Sequence, residues 1–210
     1  MKRTAAKTLT PTPTNGHIHD AGDDVHEEHV HDANCAHDHG GAGGGGFVAQ
    51  IRDFKNSDYD DLIAIWKAGR IEMDETDRLE TIARNIRTRA NSFRVFVVEV
   101  RAVGDDGKPQ DEARIAGGVT ITYDGRRAYI YHFAVHPEFR GMGLGRALLN
   151  ICEQQAQKWG AAHLRLTARS DGTRAVAQKL YTAQGWKATP ELWVYSKALK
   201  IAKRKKRQAP

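Results

Sequence analysis

The chain has 210 residues and a formal net charge of +6, which predicts one folded domain flanked by tails. No apolar run approaches the ~20 residues of a membrane-spanning helix. No apolar stretch follows the first Lys and Arg, so we expect no signal peptide. Two cysteines, Cys35 and Cys152, lie in unlike surroundings. That argues against a disulfide framework and for a reducing, cytoplasmic compartment.

Residues 1–46 have the composition of a disordered tail. A Pro- and Thr-rich start and a Gly-rich end enclose acidic residues and seven histidines: His17, His19, His26, His29, His31, His37 and His39. His-rich tracts bind zinc, nickel or copper, but this irregular spacing does not match a fixed ligand set. We expect loose divalent-metal binding and no required metal, and a specific metal role stays open.

The folded domain is predicted to span residues 47–199. Alternating apolar residues in FVAQIRDF predict a first strand, and Ser57 is placed to cap a helix over 58–68. The later predictions are a helix over 75–89, the strand RVFVVEVRA, strands over 113–123 and 129–135, a helix ending near Trp159, the strand HLRLTAR, a helix over 173–184 and a strand pair over 186–199.

The stretch from Tyr129 to Leu149 indicates a strand, a glycine-rich loop and the start of a helix. β-branched and aromatic residues favour the strand, and Pro137 ends it because proline cannot donate to a ladder. The following RALLNIC favours a helix. A glycine-rich turn leading into a helix directs bare N–H groups and the positive end of the dipole to one place, where phosphate is the usual ligand.

The spacing Arg140-x-x-Gly143-x-Gly145, preceded by AVHPEFRG and followed by LYTAQGW, resembles the GNAT superfamily of N-acetyltransferases, in particular its small bacterial YpeA-type members. The resemblance covers residues 48–199. It implies an α/β (α+β) fold, with a mostly antiparallel mixed sheet of about seven strands and helices on both faces. It also implies direct transfer of the acetyl group of acetyl-CoA to a primary amine in a ternary complex.

The resemblance implies that this loop holds the pyrophosphate of acetyl-CoA through backbone N–H groups and two guanidinium groups. The loop residues concerned are Arg140, Gly141, Met142, Gly143, Leu144, Gly145 and Arg146. In the family the fourth strand separates from the fifth, and the pantetheine arm pairs with its backbone, here that of Phe133, Ala134 and Val135. A backbone N–H there polarises the thioester carbonyl.

Tyr181 in QKLYTAQGW is the candidate general acid, because the family places a tyrosine near the cofactor sulfur at this point. A phenol titrates near pH 10 in general, so it can donate a proton to a thiolate. A core tyrosine packing beside Leu180 and Val176 is the alternative interpretation. The family often has an asparagine seven residues earlier, where this chain has Arg174, and Arg174 is expected to contact a cofactor phosphate.

The general base is the least defined part of the site. Some family members carry Glu or His on the fourth strand, but alternation back from Val135 gives Tyr131 and Tyr129 here. His132 is out of phase and is expected to be structural. The acids Glu72, Asp74, Glu75 and Asp77 cluster between the first two helices. Glu72, acting through water, is the provisional base, and an acidic helix N-terminus is the alternative.

Two functions from different classes fit the sequence. One is an N-acetyltransferase acting on a small-molecule, peptide or protein amine, and the other is a non-catalytic acetyl-CoA sensor with metal- or nucleic-acid-binding tails. The basic C-terminal tail, residues 200–210, has no interleaved aromatic residues, so base stacking is not expected. A role in solubility is favoured over a nuclear address or non-specific nucleic-acid binding, and a nucleic-acid partner is not expected. The acceptor amine and the oligomeric state, a homodimer included, stay open.

Removal of residues 1–46 should leave the domain folded with unchanged acetyl-CoA affinity, because a Gly-rich linker and a tail without a core contribute few contacts. Thermal unfolding and calorimetry compare the two forms, and a large fall in melting temperature would contradict the expectation. Zinc or nickel should bind the intact chain alone, whereas equal metal binding by both forms would remove the tail as the metal site.

Overall fold

The computed structural model describes residues 46–168, 175–191, 194 and 197. Its helices and strands follow the order predicted from the sequence for this part of the chain. They are β1 Phe47–Asp53, α1 Tyr59–Ala68, α2 Leu79–Thr88, β2 Phe93–Val103, β3 Pro109–Tyr123, β4 Ala128–Val135, α3 Leu144–Lys158, β5 Leu164–Leu166 and α4 Ala175–Ala183. Short 3₁₀ turns precede the first three helices, at Asn56–Asp58, Glu75–Asp77 and Pro137–Phe139.

The strands of the described part of the chain form a five-stranded sheet in the order β1-β2-β3-β4-β5. The pairs β1–β2, β2–β3 and β3–β4 are antiparallel, and β5 runs parallel to β4. The predicted mixed, mostly antiparallel sheet is therefore confirmed. The predicted closing strand pair lies largely outside the described residues, and the described positions of that stretch, 186–191, 194 and 197, are not in strands.

Helices cover both faces of the sheet, as predicted. In β2, Phe93, Val95 and Val97 pack with α1 and α2 on one face. Phe96, Val98 and Val100 pack with α3 on the other face. This alternation follows from the two-residue period of a strand, and it identifies the α1/α2 face and the α3 face of the sheet.

The start of α1 differs from the predicted Ser57 cap. Asp58 is the N-cap residue of α1, and its carboxylate closes the preceding 3₁₀ turn: it accepts hydrogen bonds from Lys55 N at 2.7 Å and from both terminal nitrogens of Arg52 at 2.7 and 3.0 Å. Burial alone would raise the pKa of Asp58, but the bonds from Arg52 and Lys55 outweigh it and hold the pKa below its usual range. The ionised side chain thus fixes the entry into α1.

None of the described helices is long and apolar enough to cross a membrane. Cys152 is a free thiol buried in α3, and burial raises its pKa to about 12. Cys35 and the His-rich segment lie outside the described residues. Within the described part of the chain, no three His, Cys, Asp or Glu side chains are grouped so as to hold a metal ion.

Gly118 of β3 lets α1 lie close to the sheet beside β4. A Cβ atom at this position would overlap the Leu62 side chain of α1 and lie 3.1 Å from the Phe96 carbonyl oxygen. Leu62 is fully buried, so it has little room to move. The absent side chain therefore sets the distance between α1 and the strand that pairs with β4.

Gly118→Ala should lower the free energy of unfolding by about 1–3 kcal/mol through overpacking against Leu62. Gly46→Ala is the matched control, because a Cβ there meets Val103 at an ordinary 3.8 Å. Urea unfolding of the two variants measures the difference. Equal stability of both would contradict the close packing of α1 on β3.

Candidate active site

The sheet opens between β4 and β5. The two strands pair at Ala128–Leu164, Tyr129–Arg165 and Ile130–Leu166, and β5 ends there. β4 continues to Val135, so its edge beyond Ile130 has no strand beside it among the described residues. This gap, called the opening below, exposes backbone groups that can pair with an extended ligand.

The ladder alternation shows which backbone groups of β4 face the opening. His136 N donates to Ala116 O at 2.8 Å, so the N–H and C=O groups of Ala134 also point toward β3. Those of Phe133 and Val135 point the other way. The Arg140 Nε atom donates to the Val135 carbonyl oxygen at 3.0 Å, which fits this direction. Of the three predicted pairing residues, Phe133 and Val135 therefore face the opening.

A β-bulge at His132 interrupts β4. Thr120 pairs with Tyr131 and Gly118 pairs with Ala134, so His132 and Phe133 together oppose one residue of β3. His132 takes φ 51°, a left-handed conformation in which histidine is enriched among residues other than glycine. Such conformations cost of order 1–3 kcal/mol and persist only where the surroundings impose them.

The bulge corrects the sequence-based assignment of faces. Ile130 on one side of it and Phe133 and Val135 on the other all pack on the α3 face. Simple alternation back from Val135 had placed Tyr131 and Tyr129 on that face. The extra residue shifts the phase, so these two tyrosines lie on the opposite, α1/α2 side of the strand.

His132 packs between α1 and the turn that precedes α2. Its ring stacks on Trp66 with centroids 4.5 Å apart, and its Nε2 lies 3.4 Å from Asp77 Oδ1. Asp77 is 8% exposed, and its Oδ2 accepts a hydrogen bond from Asp74 N at 2.9 Å. Tyr59 OH donates to the Asp77 carbonyl oxygen at 3.1 Å. The imidazole and the carboxylate are thus each held from a second direction.

The glycine-rich loop joins the end of β4 to α3. Gly141 and Gly143 take φ 81° and 79°, which glycine adopts at no steric cost. Gly143 is the N-cap of α3, whose first turn contains no acidic residue. Its first helical bond is Ala147 N to Gly143 O.

The N–H groups before that bond point out of the helix end. These N–H groups belong to Leu144, Gly145 and Arg146. Met142 and Leu144 turn their side chains into the core, while Arg140 and Arg146 are exposed. The loop therefore offers backbone donors and two guanidinium groups, as an anion site requires.

α4 lies against this loop and against β4. A Cβ atom at Gly145 would lie 3.1 Å from Leu180 Cδ2 and 3.5 Å from Phe133 Cζ. The half-buried ring of Tyr181 is 6.2 Å from that of Phe133 and 6.1 Å from that of Trp186. Trp186 Nε1 donates to Glu153 of α3 at 3.2 Å. The structure therefore brings Tyr181 beside a residue that faces the opening.

The four acidic residues between α1 and α2 differ in their surroundings. Glu72 is exposed between α1 and the Glu75–Asp77 turn. The hydroxyl and backbone N–H of Thr76 hold the pKa of Asp74 below its ordinary value, and Glu75 pairs with Arg78. Asp77 is the member that lies against β4. Arg174 lies outside the described residues.

Among solved structures, an aminoglycoside acetyltransferase from an uncultured soil metagenomic sample, in complex with sisomicin, matches with TM-score 0.53 at 20% identity over 72% of this chain and 97% of that one. An acetyltransferase from Streptococcus agalactiae matches with TM-score 0.52 at 14% identity over 72% and 92%. AAC(6')-Iy in complex with a bisubstrate analog matches with TM-score 0.51 at 16% identity over 72% and 99%.

These likenesses show a shared fold. The model of the Acetyltransferase (GNAT) family matches residues 59–186 of the present chain, which is more than half of its length. The matched segment includes β4, β5, α3 and α4, the elements that build the opening and its loop. The chain therefore belongs to the GNAT family of acetyltransferases.

Proposed function

We propose that this protein transfers the acetyl group of acetyl-CoA directly to a primary amine, with both substrates bound at once. The observation that carries the proposal is the juxtaposition at the opening. Three features meet around Phe133: the edge of β4 that faces away from β3 and has no partner strand among the described residues, a glycine-rich helix N-terminus, and the Tyr181 ring. Each supplies one requirement of acyl transfer from a thioester: an extended binding edge, an anion site and a proton donor.

The loop residues fit the pyrophosphate of acetyl-CoA. The N–H groups at the start of α3 and the positive end of its dipole favour an anion. Arg146 lies in the first helical turn, where a cation opposes the dipole and gains from a bound phosphate. Arg140 is tied to the end of β4 through its Nε, so its outer nitrogens remain available to a second phosphate oxygen.

The edge of β4 fits the pantetheine arm, whose amide groups can pair with a strand. Phe133 and Val135 present their backbone groups on alternate positions of that edge. A backbone N–H aimed at the thioester oxygen would stabilise the negative charge that develops during attack by the amine. Arg174, outside the described residues, stays a proposed contact to a cofactor phosphate.

Tyr181 is proposed as the general acid. Its ring is held between Phe133 and Trp186, so the hydroxyl is carried by a packed side chain. A phenol gives its proton readily to a departing thiolate only when it is held within hydrogen-bond reach. The same packing explains why the ring also contributes to the α3-face core.

Gly143→Leu should abolish acetyl-CoA binding while leaving the domain folded. A Cβ atom there meets nothing within 4 Å, so the side chain would fill the space through which the pyrophosphate approaches. Gly107→Leu is the matched control: it has φ 75° and equally open space, but it lies in the β2–β3 turn. Calorimetry that shows unchanged affinity in Gly143→Leu, or equal losses in both variants, would contradict the loop assignment.

Tyr181→Phe should lower kcat by roughly 10²–10⁴-fold, the usual value of a positioned proton donor, with little change in acetyl-CoA affinity. The ring contacts remain, so the loss should appear in kcat. Tyr123→Phe, whose ring stacks on Trp159 away from the opening, is the control.

Release of coenzyme A thiol with a panel of amines, beside a binding titration, measures both quantities. Equal kcat in wild type and Tyr181→Phe would remove Tyr181 from the mechanism. Acetyl-CoA binding by the wild type without turnover on any amine would favour the alternative function, an acetyl-CoA sensor.

A further inference from the structure

His132 and Asp77 form a pair that the reaction, as proposed so far, does not use. We propose that His132 accepts the proton of the acceptor amine and that Asp77 is the positioning residue that directs it. The inference rests on the proposed acetyl transfer and names the base for it. In this proposal His132 takes the place of Glu72 as the base, and Glu72 is exposed between α1 and α2.

The backbone at His132 supports a role beyond packing. A left-handed residue other than glycine in the middle of a strand is unfavourable, and such strain clusters at functional sites. Here it occurs one residue before Phe133, whose backbone faces the opening. The bulge turns the imidazole to the α1/α2 side of the strand, opposite Tyr181. A proton donor and a proton acceptor thus flank the same two residues of β4.

The contacts of the imidazole favour one tautomer. An ionised carboxylate accepts hydrogen bonds and donates none. Asp77 Oδ1 lies 3.4 Å from Nε2, and this contact favours a neutral ring with its proton on Nε2 and a lone pair on Nδ1. The Trp66 ring, stacked at 4.5 Å, limits rotation of the imidazole. Asp77 in turn is fixed by the hydrogen bond from Asp74 N.

The His132 side chain is exposed enough for an amine to reach it, and Asp77 is less exposed. The side chain of His132 is 18% exposed and that of Asp77 is 11% exposed. The neighbouring Tyr131 is 49% exposed and lies on the same side of β4. An amine that approaches along Tyr131 can therefore reach the imidazole, while the carboxylate behind it stays largely shielded from water.

His132 and Tyr181 together account for every proton that the reaction moves. Nδ1 of His132 takes a proton from the ammonium form of the acceptor, and the neutral nitrogen attacks the thioester carbonyl. The C–N bond forms, the C–S bond breaks, and the thiolate takes the Tyr181 phenol proton. The second proton on the new amide nitrogen returns to the phenolate, and His132 releases its proton to water. The products are the acetylated amine, coenzyme A and one proton.

His132→Asn tests the proposal, because asparagine tolerates the left-handed conformation and cannot act as a base. We expect kcat to fall by roughly 10²–10⁴-fold, with acetyl-CoA affinity and melting temperature close to wild type. His163→Asn is the control, since His163 is exposed before β5 and contributes its backbone carbonyl to the sheet. Turnover of His132→Asn within about threefold of wild type on the same amine would overturn the proposal. A loss in Glu72→Gln alone would transfer the role to Glu72.

The role of Asp77 is tested by nitrogen NMR of the ¹⁵N-labelled histidine ring, which reports the tautomer whether or not turnover is found. Wild type should carry the neutral-ring proton on Nε2. In Asp77→Asn the amide oxygen can keep the bond from Asp74 N, and its NH₂ group faces Nε2, so the proton should move to Nδ1. We expect a kcat loss of more than about tenfold from the wrong tautomer. A wild-type ring protonated on Nδ1 would overturn the proposal, even if Asp77→Asn fails to fold.

Failure of this inference is distinguishable from failure of the proposed function. If wild type acetylates amines and His132→Asn does so equally well, the base assignment fails and the acetyltransferase stands. If wild type binds acetyl-CoA but releases no thiol with any amine, the acetyltransferase fails. In that case a role for His132 in catalysis fails with it.

Discussion

The early end of β4–β5 pairing is the constraint on which the site depends. Pairing stops at Ile130 and Leu166, and the bulge follows at once on the other side of β4. A strand with a free edge has unsatisfied N–H and C=O groups, which proteins normally cover. Here the loop after β4 covers part of that edge through the bond from Arg140 to Val135. No other described strand covers the rest of that edge.

β4 also separates two kinds of chemistry. Phe133 and Val135 turn toward α3 and α4, where the helix N-terminus and Tyr181 lie. His132 turns toward α1 and the Glu75–Asp77 turn, where the carboxylates lie. The helix N-terminus and Tyr181 therefore lie on one side of the strand, and His132 and the carboxylates lie on the other. Adjacent strand residues face opposite sides, which separates His132 from Phe133, and the bulge places Tyr131 on the same side as His132.

Most of the fold could be predicted from the sequence, because the signals were local. Alternating apolar and polar residues predicted β1, β-branched and apolar residues predicted β2, and the glycine spacing predicted the loop before α3. The tyrosine in LYTAQGW was placed on a helix that does lie at the opening. The bulge could not be predicted, since it depends on how β4 pairs with β3 and leaves the composition of the strand ordinary. His132 lies on the side that alternation from Val135 predicts, but its contacts with Trp66 and Asp77 depend on how α1 and the turn before α2 pack. The cap at Ser57 failed because Ser57 lies inside the Asn56–Asp58 turn, where nearby Arg52 binds Asp58.

The contact between Gly145 and Leu180 has a consequence for how this protein can diverge. A side chain at position 145 would crowd Leu180, which lies 3.1 Å from the place of its Cβ atom, and the next residue along α4 is Tyr181. A larger residue at 145 would therefore require a smaller one at 180, or it would displace the tyrosine from the edge of β4. Positions 145 and 180 should change together among descendants that keep the activity. Independent change at these two positions should mark lineages in which the opening has a different function.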